Sequence, residues 1–315
     1  MKKTLSALLK GLISILLLTY LFYKIDLKEV WQHLQQANIF YLLIAFGLCI
    51  IGQALCAVRW KHLARVMDFH NSLKEFIIYY FAGMFFSLFL PTLIGGDVAK
   101  CYYLARGHKK TLQAIISVLA DRGTGLIALI LIAWGSLFLM DGVAVPAHFT
   151  WGIHAAGIIM IAGLITPFFA GGLCVKLGGR VVELALAYWK RPGVLLNVIL
   201  ISFGFQMTVI LIHILIGLSL GLTIPWKFYF FLVPVVAAVS MLPVSLSGLG
   251  VREGAYVYFL SLAGIPQTEA LTFAFGWLFV AFASSLTGGL ALFKTPAMAK
   301  QKEKGTDLFS GNAGK

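Results

Sequence analysis

Long apolar stretches recur along nearly the whole of this chain, and they constrain its fold more than any other feature. A helix that crosses a hydrocarbon core needs about 20 apolar residues, and only helices or closed barrels satisfy their backbone hydrogen bonds in lipid. Of the 315 residues, 60% are hydrophobic and 12% are charged, against about half and a quarter in a soluble domain. The sequence therefore predicts an all-α, polytopic helical membrane protein and excludes a soluble globular enzyme.

Six of the apolar stretches have the length and continuity of full membrane spans. The first follows Lys2 and Lys3 but has no small-residue cleavage site after it, so we expect an uncleaved anchor helix rather than a signal peptide. The predicted spans cover residues 12–22, 39–58, 124–140, 151–172, 194–222 and 269–293. We expect one integral membrane domain over residues 1–293 and a polar cytoplasmic tail over 294–315.

Two further apolar segments are interrupted by Pro and Gly. Residues 76–90 run into Pro91 and a Gly pair, and residues 228–242 run into Pro243 and a second Gly-rich turn. Both segments are too short and too broken to be simple spans. They raise the number of hydrophobic segments to about eight.

The basic residues predict the orientation of these segments. Lys and Arg accumulate on the cytoplasmic side of short loops, and most of the 25 basic residues lie at the N-terminus, in residues 59–74, 100–110 and 176–191, or in the tail. This places both termini in the cytoplasm and accounts for most of the +13 charge without nucleic acid. Segment 76–96 then becomes a re-entrant hairpin from the cytoplasm, and 228–264 one from outside.

The two broken segments share a short sequence pattern. Both read Leu-Pro-x3-(Gly/Ser)-Gly-x3-(Lys/Arg), as LPTLIGGDVAK over residues 90–100 and LPVSLSGLGVR over 242–252. Opposed, broken segments in corresponding halves of a chain are typical of transporters built from inverted repeats, with a site near the midplane. We therefore expect inverted halves near 39–140 and 193–293.

Charged and glycine residues within apolar sequence are the candidates for this site. A charge in the bilayer is costly and usually faces a cavity or a partner, and a helix start with free N–H groups binds phosphate. The predicted substrate-binding residues are Gly95, Gly96, Asp97, Lys100, Gly248, Gly250, Arg252 and Glu253. We expect a helix to resume at Val98. Two roles stay open for Asp97: it caps this helix, or it is a residue of the site.

Asp121 and Arg122 are predicted to form a pair, either structural, at a cytoplasmic membrane boundary, or a coupling pair for transport. Arg122 and Arg252 are the two basic residues that the orientation count leaves inside apolar sequence. Two further features favour structural roles. His213, alone in an apolar helix, is expected to be satisfied by packing, and residues 26–37 have the spacing of an amphipathic interfacial helix.

The sequence lacks the signatures of the usual cofactors. The four Cys residues form no CxxC pair, so neither a disulfide nor a zinc site is indicated. HExxH, P-loop, GxSxG and kinase motifs are absent from it. We predict no metal and no cofactor, and any transport is expected to be passive or coupled to an ion gradient.

Three motifs resemble the lysylphosphatidylglycerol synthase transmembrane family, also called flippase-like membrane proteins. They are the GGD motif with Lys100, the SVLADR stretch ending at Arg122, and SLSGLGVREG over residues 245–254. The Arg59–Trp60 pair is similar too, whereas Lys100 stands where the family is expected more often to have Arg. The resemblance covers about residues 5–294 and implies a phospholipid or lipid-linked substrate moved between leaflets.

We therefore predict a lipid flippase or transporter in the inner membrane, with Arg252 holding a headgroup phosphate. The expected partners are a membrane phospholipid or polyprenyl-linked lipid, with no nucleic acid. We expect no enzymatic activity, because the soluble synthase domain of two-domain members is not found in this sequence. Two alternatives stay open: an intramembrane enzyme acting on lipid-linked sugar or phosphate, and a non-transporting partner of a lipid-modifying enzyme.

Overall fold

All of the regular secondary structure in the described residues is helical. A computed structural model describes residues 2–89, 95–106, 108–139, 145–242 and 244–292, and for 2–10, 167–178 and 291–292 it describes the backbone alone. In chain order the helices are α1 (Lys2–Lys24), α2 (Leu27–Gln36), α3 (Ile39–Val66), α4 (Leu73–Phe89), α5 (Gly95–Ala105), α6 (Thr111–Ser136), α7 (Ala147–Leu186), α8 (Pro192–Ser219), α9 (Trp226–Ser240), α10 (Val251–Leu262), α11 (Gln267–Leu286) and α12 (Gly288–Leu292). The all-α prediction is confirmed.

Five helical stretches in the described residues are long and apolar enough to cross a membrane. They are Ile39–Val66, Thr111–Ser136, Ala147–Thr166, Pro192–Ser219 and Gln267–Leu290. Each overlaps a predicted span, and the remaining predicted span, 12–22, lies in α1 as the shorter apolar stretch Gly11–Lys24. The prediction of a polytopic helical membrane protein is therefore confirmed.

Two of these helices extend beyond the predicted spans. Helix α3 continues through Arg59 to Val66, and α6 begins at Thr111 rather than at 124. The predicted boundaries followed the first charged residues, but a backbone hydrogen-bond ladder continues through a charge whose side chain finds a partner. Asp121 and Arg122 both lie near the middle of α6, and their expected place at a cytoplasmic membrane boundary stays a prediction.

Pairs of short helices stand where the re-entrant hairpins were predicted. Helices α4 and α5 have 17 and 11 residues, and α9 and α10 have 15 and 12. At 1.5 Å per residue none is longer than about 26 Å, which is less than the roughly 30 Å hydrocarbon core. The interruptions at Pro91 and Pro243, and the predicted tail over 294–315, lie outside the described residues.

The amphipathic helix predicted over residues 26–37 is present as α2. It begins after the N-cap Asp26, whose Oδ1 accepts a hydrogen bond from the Lys28 N–H at 2.8 Å. Its C-cap is Ala37, so both ends fall at the predicted boundaries. The cap satisfies one of the free N–H groups of the first turn.

Packing of the long helices positions the polar residues of the chain. Helix α3 packs along α8 and also against α4, α6 and α11, while α4 packs on α5 as a hairpin. Trp60 of α3 is completely buried, donates a hydrogen bond to Ser117 Oγ at 3.2 Å, and meets Phe76 edge-on. The hydrogen bond and the ring contact of Trp60 hold α3, α4 and α6 beside one another where their charged residues occur.

Candidate functional site: a buried charge cluster

An ion pair between α3 and α6 forms the innermost part of the site. Arg59 Nε donates to Asp121 Oδ1 at 2.8 Å, and the two residues are only 4% and 1% exposed. Arg59 Nη1 also donates to Ser202 Oγ of α8 at 3.0 Å. These contacts tie three long helices together through a single guanidinium.

Lys100 extends the pair toward α5. Its Nζ lies 3.6 Å from Asp121 Oδ2 and 2.9 Å from Asp97 Oδ1. Asp97 Oδ2 in turn accepts a hydrogen bond from Arg122 Nε at 2.9 Å. We call Arg59, Asp97, Lys100, Asp121 and Arg122 the charge cluster, because they form one continuous series of ion pairs.

The cluster carries one more positive than negative charge. Three cationic side chains face two carboxylates, so the five groups together have a net charge of +1. Lys100 is partly compensated for lost water by the ring faces of Tyr80, 4.5 Å away, and Trp60, 5.6 Å away. An unbalanced positive charge in a water-poor interior favours the binding of an anion.

Close packing between α4 and α5 brings Asp97 and Lys100 to this position. Gly96 does not have a left-handed backbone, but a Cβ there would collide with Gly83 O and Ser87 Oγ of α4. Helix α5 begins at Gly95, earlier than the predicted Val98. Gly96 therefore serves close approach of two helices rather than an unusual turn.

Replacing Gly96 with Ala is expected to destabilise the α4–α5 hairpin, because the added methyl group forces the helices apart. Overpacking of this kind costs about 1–3 kcal/mol. Gly204→Ala in α8 is a matched control, since a Cβ there meets nothing within 4 Å. Thermal denaturation in detergent should show a lower Tm for Gly96→Ala alone; equal Tm values for the two variants would contradict the packing argument.

A cavity of about 350 Å³ adjoins the charge cluster. It is lined by all five cluster residues and by further polar and aromatic side chains. Among these are Gln53, Tyr80, Gln206 and Trp277. Met241 and Ala237, at the end of α9, also line it, so both hairpin regions contribute to one cavity. We call this the inner cavity.

The second Gly-rich motif, at the start of α10, forms a helix cap and is not part of the charge cluster. Glu253 is fully buried, and its Oε2 accepts a hydrogen bond from the Gly250 N–H at 2.7 Å, which caps the start of α10. Arg252 donates to Glu253 Oε1 from Nε and Nη2 at 3.0 and 2.7 Å. Gly248 and Gly250 have φ values of 80° and 82°, a conformation that favours glycine.

The structure thus separates the two sets of predicted site residues. Gly96, Asp97, Lys100, Asp121 and Arg122 line the inner cavity. Gly95 and the second set, Gly248, Gly250, Arg252 and Glu253, do not. Asp121 and Arg122 also face different partners, because consecutive residues of a helix point about 100° apart. The role of Arg252 in binding a phosphate stays a prediction.

Arg59 is the cluster residue that sequence reasoning did not select as a site residue. It was counted as cytoplasmic together with Lys61 and Arg65, but it is buried within α3. Lys100 was counted in the same way and is buried too. The continuing apolar periodicity through Leu63 and Val66 was the signal that α3 extends past these charges.

His213 is satisfied by hydrogen bonds within the protein, in line with the expected structural role. Its Nδ1 lies 2.8 Å from Val209 O, and its Nε2 lies 2.6 Å from Tyr256 Oη. A neutral ring that donates from Nδ1 to the carbonyl accepts from the Tyr256 hydroxyl at Nε2. Within the described residues, no group of three or more His, Cys, Asp or Glu is arranged to hold a metal ion.

Fold and site together define a polytopic helical membrane protein with a buried ionic cluster where a short hairpin meets the spanning helices. The chain belongs to the family described as the lysylphosphatidylglycerol synthase TM region, whose model matches residues 7–289. The family resemblance inferred from the sequence motifs is therefore confirmed. This family is a membrane region, and no enzymatic domain is indicated for the matched residues.

A partial match to one curated protein agrees with this class. Over 96 residues the chain is 27% identical to the UPF0104 membrane protein MJ1595 of Methanocaldococcus jannaschii. The match covers 30% of this chain and 29% of that relative, so it spans less than a third of either protein. No solved structure matches the chain.

Proposed function

We propose that this protein moves a phospholipid or lipid-linked substrate between membrane leaflets, and that the charge cluster binds the phosphate of its headgroup. The observation that carries this proposal is the net positive cluster beside the 350 Å³ inner cavity. A lipid headgroup is the part of the substrate that needs such a polar cavity to cross hydrocarbon. Phosphate matches the fork of Arg122 and the point charge of Lys100.

The arrangement suits a transient binding site. Every cationic group of the cluster already has a carboxylate within 3.6 Å, so an arriving phosphate competes with Asp97 and Asp121 rather than meeting bare charges. This limits the affinity for the headgroup. Transport requires binding that is favourable enough for the substrate to enter the site and weak enough for it to leave.

The proposal also includes the membrane, the orientation and the partners of the protein. The positive residues in the predicted loops support an orientation with both termini in the cytoplasm, and the proposed location is the inner membrane. The partners are a membrane phospholipid or a polyprenyl-linked lipid, and a lipid-modifying enzyme is a further candidate partner. The proposed activity is transport without chemical change of the lipid.

Exchange of fluorescent lipids in liposomes tests this function. The purified full-length chain, reconstituted into vesicles with an inner-leaflet fluorescent phospholipid, is expected to expose that lipid to a membrane-impermeant quencher faster than protein-free vesicles do. A panel of anionic, zwitterionic and polyprenyl lipids identifies the substrate class. Failure to exchange any member of the panel would refute the proposal.

Arg122→Gln provides a variant for the same assay. Arg122 is 48% exposed at its side chain, so its loss disturbs packing less than loss of Arg59. We expect slower exchange because the cluster loses its net positive charge. Arg191→Gln, at the exposed start of α8, is the matched control and should exchange lipid at the unmodified rate.

A further inference from the structure

A second, larger cavity lies on the side of the molecule between α5 and α6. Its volume is about 860 Å³, near the upper end of the roughly 300–1,000 Å³ range of ligand pockets. The middle of its wall is apolar and includes Val98, Tyr102, Ile115 and Leu119, all of them exposed. We call this the lateral groove.

Charged residues occur only toward the two ends of the described wall of the lateral groove. Asp97 and Arg122 lie at one end, and Arg106, beside Thr111, lies at the other. Asp97 lies in the first turn of α5, and Arg106 directly follows the last residue of this helix. The two residues are nine positions apart, so at 1.5 Å per residue the two ends of the groove are separated by about 14 Å. That is roughly half of a 30 Å hydrocarbon core, which is the depth of one leaflet.

The lateral groove and the inner cavity share part of their lining. Asp97, Arg122 and Met241 line both. The hydrogen bond of 2.9 Å between Arg122 and Asp97 therefore stands between the two spaces. A headgroup that moves from one space to the other has to pass this pair.

From this geometry we infer that the lateral groove is the binding site for an anionic phospholipid of the leaflet on the Arg106 side. With the orientation proposed above, that is the cytoplasmic leaflet. An acyl chain lies against Val98, Tyr102 and Leu119, and the phosphate moves from Arg106 toward Arg122 before it reaches the inner cavity. This inference rests on the proposed lipid transport and names the substrate class and its route.

Charge complementarity selects this occupant. The groove wall carries two positive side chains, Arg106 and Arg122, and one negative side chain, Asp97. Its net charge of +1 matches the single negative charge of a phosphodiester headgroup that has no cationic group of its own. A zwitterionic headgroup brings its own cation toward Arg106 and Arg122, where it is repelled. The apolar middle of the groove accepts a chain of either lipid, so the headgroup decides the preference.

Photo-crosslinking tests occupancy without requiring transport. The full chain is placed in phosphatidylcholine nanodiscs with a trace of phosphatidylglycerol that carries a diazirine on its acyl chain, and labelled peptides are mapped by mass spectrometry. We expect several-fold more label on α5 and α6 than on equally exposed residues of α8. Excess phosphatidylglycerol should remove this label, and additional phosphatidylcholine should not.

Two matched substitutions make the test specific for the groove. Leu119 and Leu200 are 59% and 58% exposed, but Leu119 lines the groove and Leu200 lines neither cavity. Leu119→Trp fills the groove and is expected to lower both the α5–α6 label and lipid exchange several-fold. Leu200→Trp should leave both unchanged.

The outcomes separate this inference from the proposed function. Label spread evenly over α5, α6 and α8, equal competition by phosphatidylcholine, or stronger competition by a polyprenyl phosphate would overturn the groove assignment. Normal exchange in Leu119→Trp would overturn it while leaving lipid transport intact. Selective label in the groove without exchange of any lipid would support the groove and refute the transport proposal.

Discussion

Asp121→Asn is expected to cause the largest loss of stability of any single substitution in the charge cluster. The side chain of Asp121 faces both Arg59, at 2.8 Å, and Lys100, at 3.6 Å. Removal of one partner from a buried ion pair costs about 3–5 kcal/mol, because the remaining charge stays buried without compensation. Here two cations lose a common carboxylate, while the amide replaces only the hydrogen bond to Arg59.

The free energy of unfolding, measured by SDS titration in mixed micelles, is the appropriate readout. Asp68→Asn is the matched control, because Asp68 forms an exposed ion pair of 4.0 Å with Lys110. Asn also tolerates the positive φ of this residue. We expect a change within about 0.5 kcal/mol there. If Asp121→Asn were equally mild, the charge cluster would not be the structural centre described above.

Lys100→Met is expected to have the largest effect on transport while leaving the protein folded. Without Lys100, Asp97 keeps Arg122 and Asp121 keeps Arg59, so each carboxylate retains one cation. The net charge of the cluster falls from +1 to zero, and Met fills most of the space of the aliphatic stem. Loss of one charge-assisted contact of about 1.5–3 kcal/mol predicts at least a tenfold slower exchange of an anionic lipid.

Lys100→Arg is the control that separates charge from packing. It restores the positive charge, and its guanidinium can stack on Tyr80 and Trp60, which already flank the lysine. We expect Lys100→Arg to retain most of the exchange activity. Exchange at the unmodified rate in Lys100→Met, in protein with an unchanged Tm, would exclude the cluster charge as the basis of substrate binding.

Several features of the site could be predicted from the sequence. Asp97, Lys100, Asp121 and Arg122 were selected because ionisable residues near apolar sequence are rarely accidental, and all four lie in the charge cluster. Their pairing could not be predicted, because proximity in sequence suggested that Asp121 pairs with Arg122. Helical geometry directs these two side chains to different neighbours instead.

The burial of Arg59 is the clearest feature of the site that only the tertiary structure reveals. Its partner Asp121 is 62 residues away in the chain, and the orientation rule counts every Lys or Arg near a span as a loop residue. Only the packing of α3 along α6 and α8 shows that this guanidinium is enclosed. The separation of Arg252 from the inner cavity depends in the same way on where α10 lies.

The sequence alone determined that the chain is helical, spans a membrane repeatedly and carries two interrupted segments, because apolar length and Pro/Gly placement are local properties. The amphipathic helix α2 followed from the spacing of its own apolar residues. The tertiary structure decided which charges are buried together and which cavities they line. Ion pairing in a low-dielectric interior depends on distances of a few ångströms between helices far apart in the chain, and no local pattern encodes those distances.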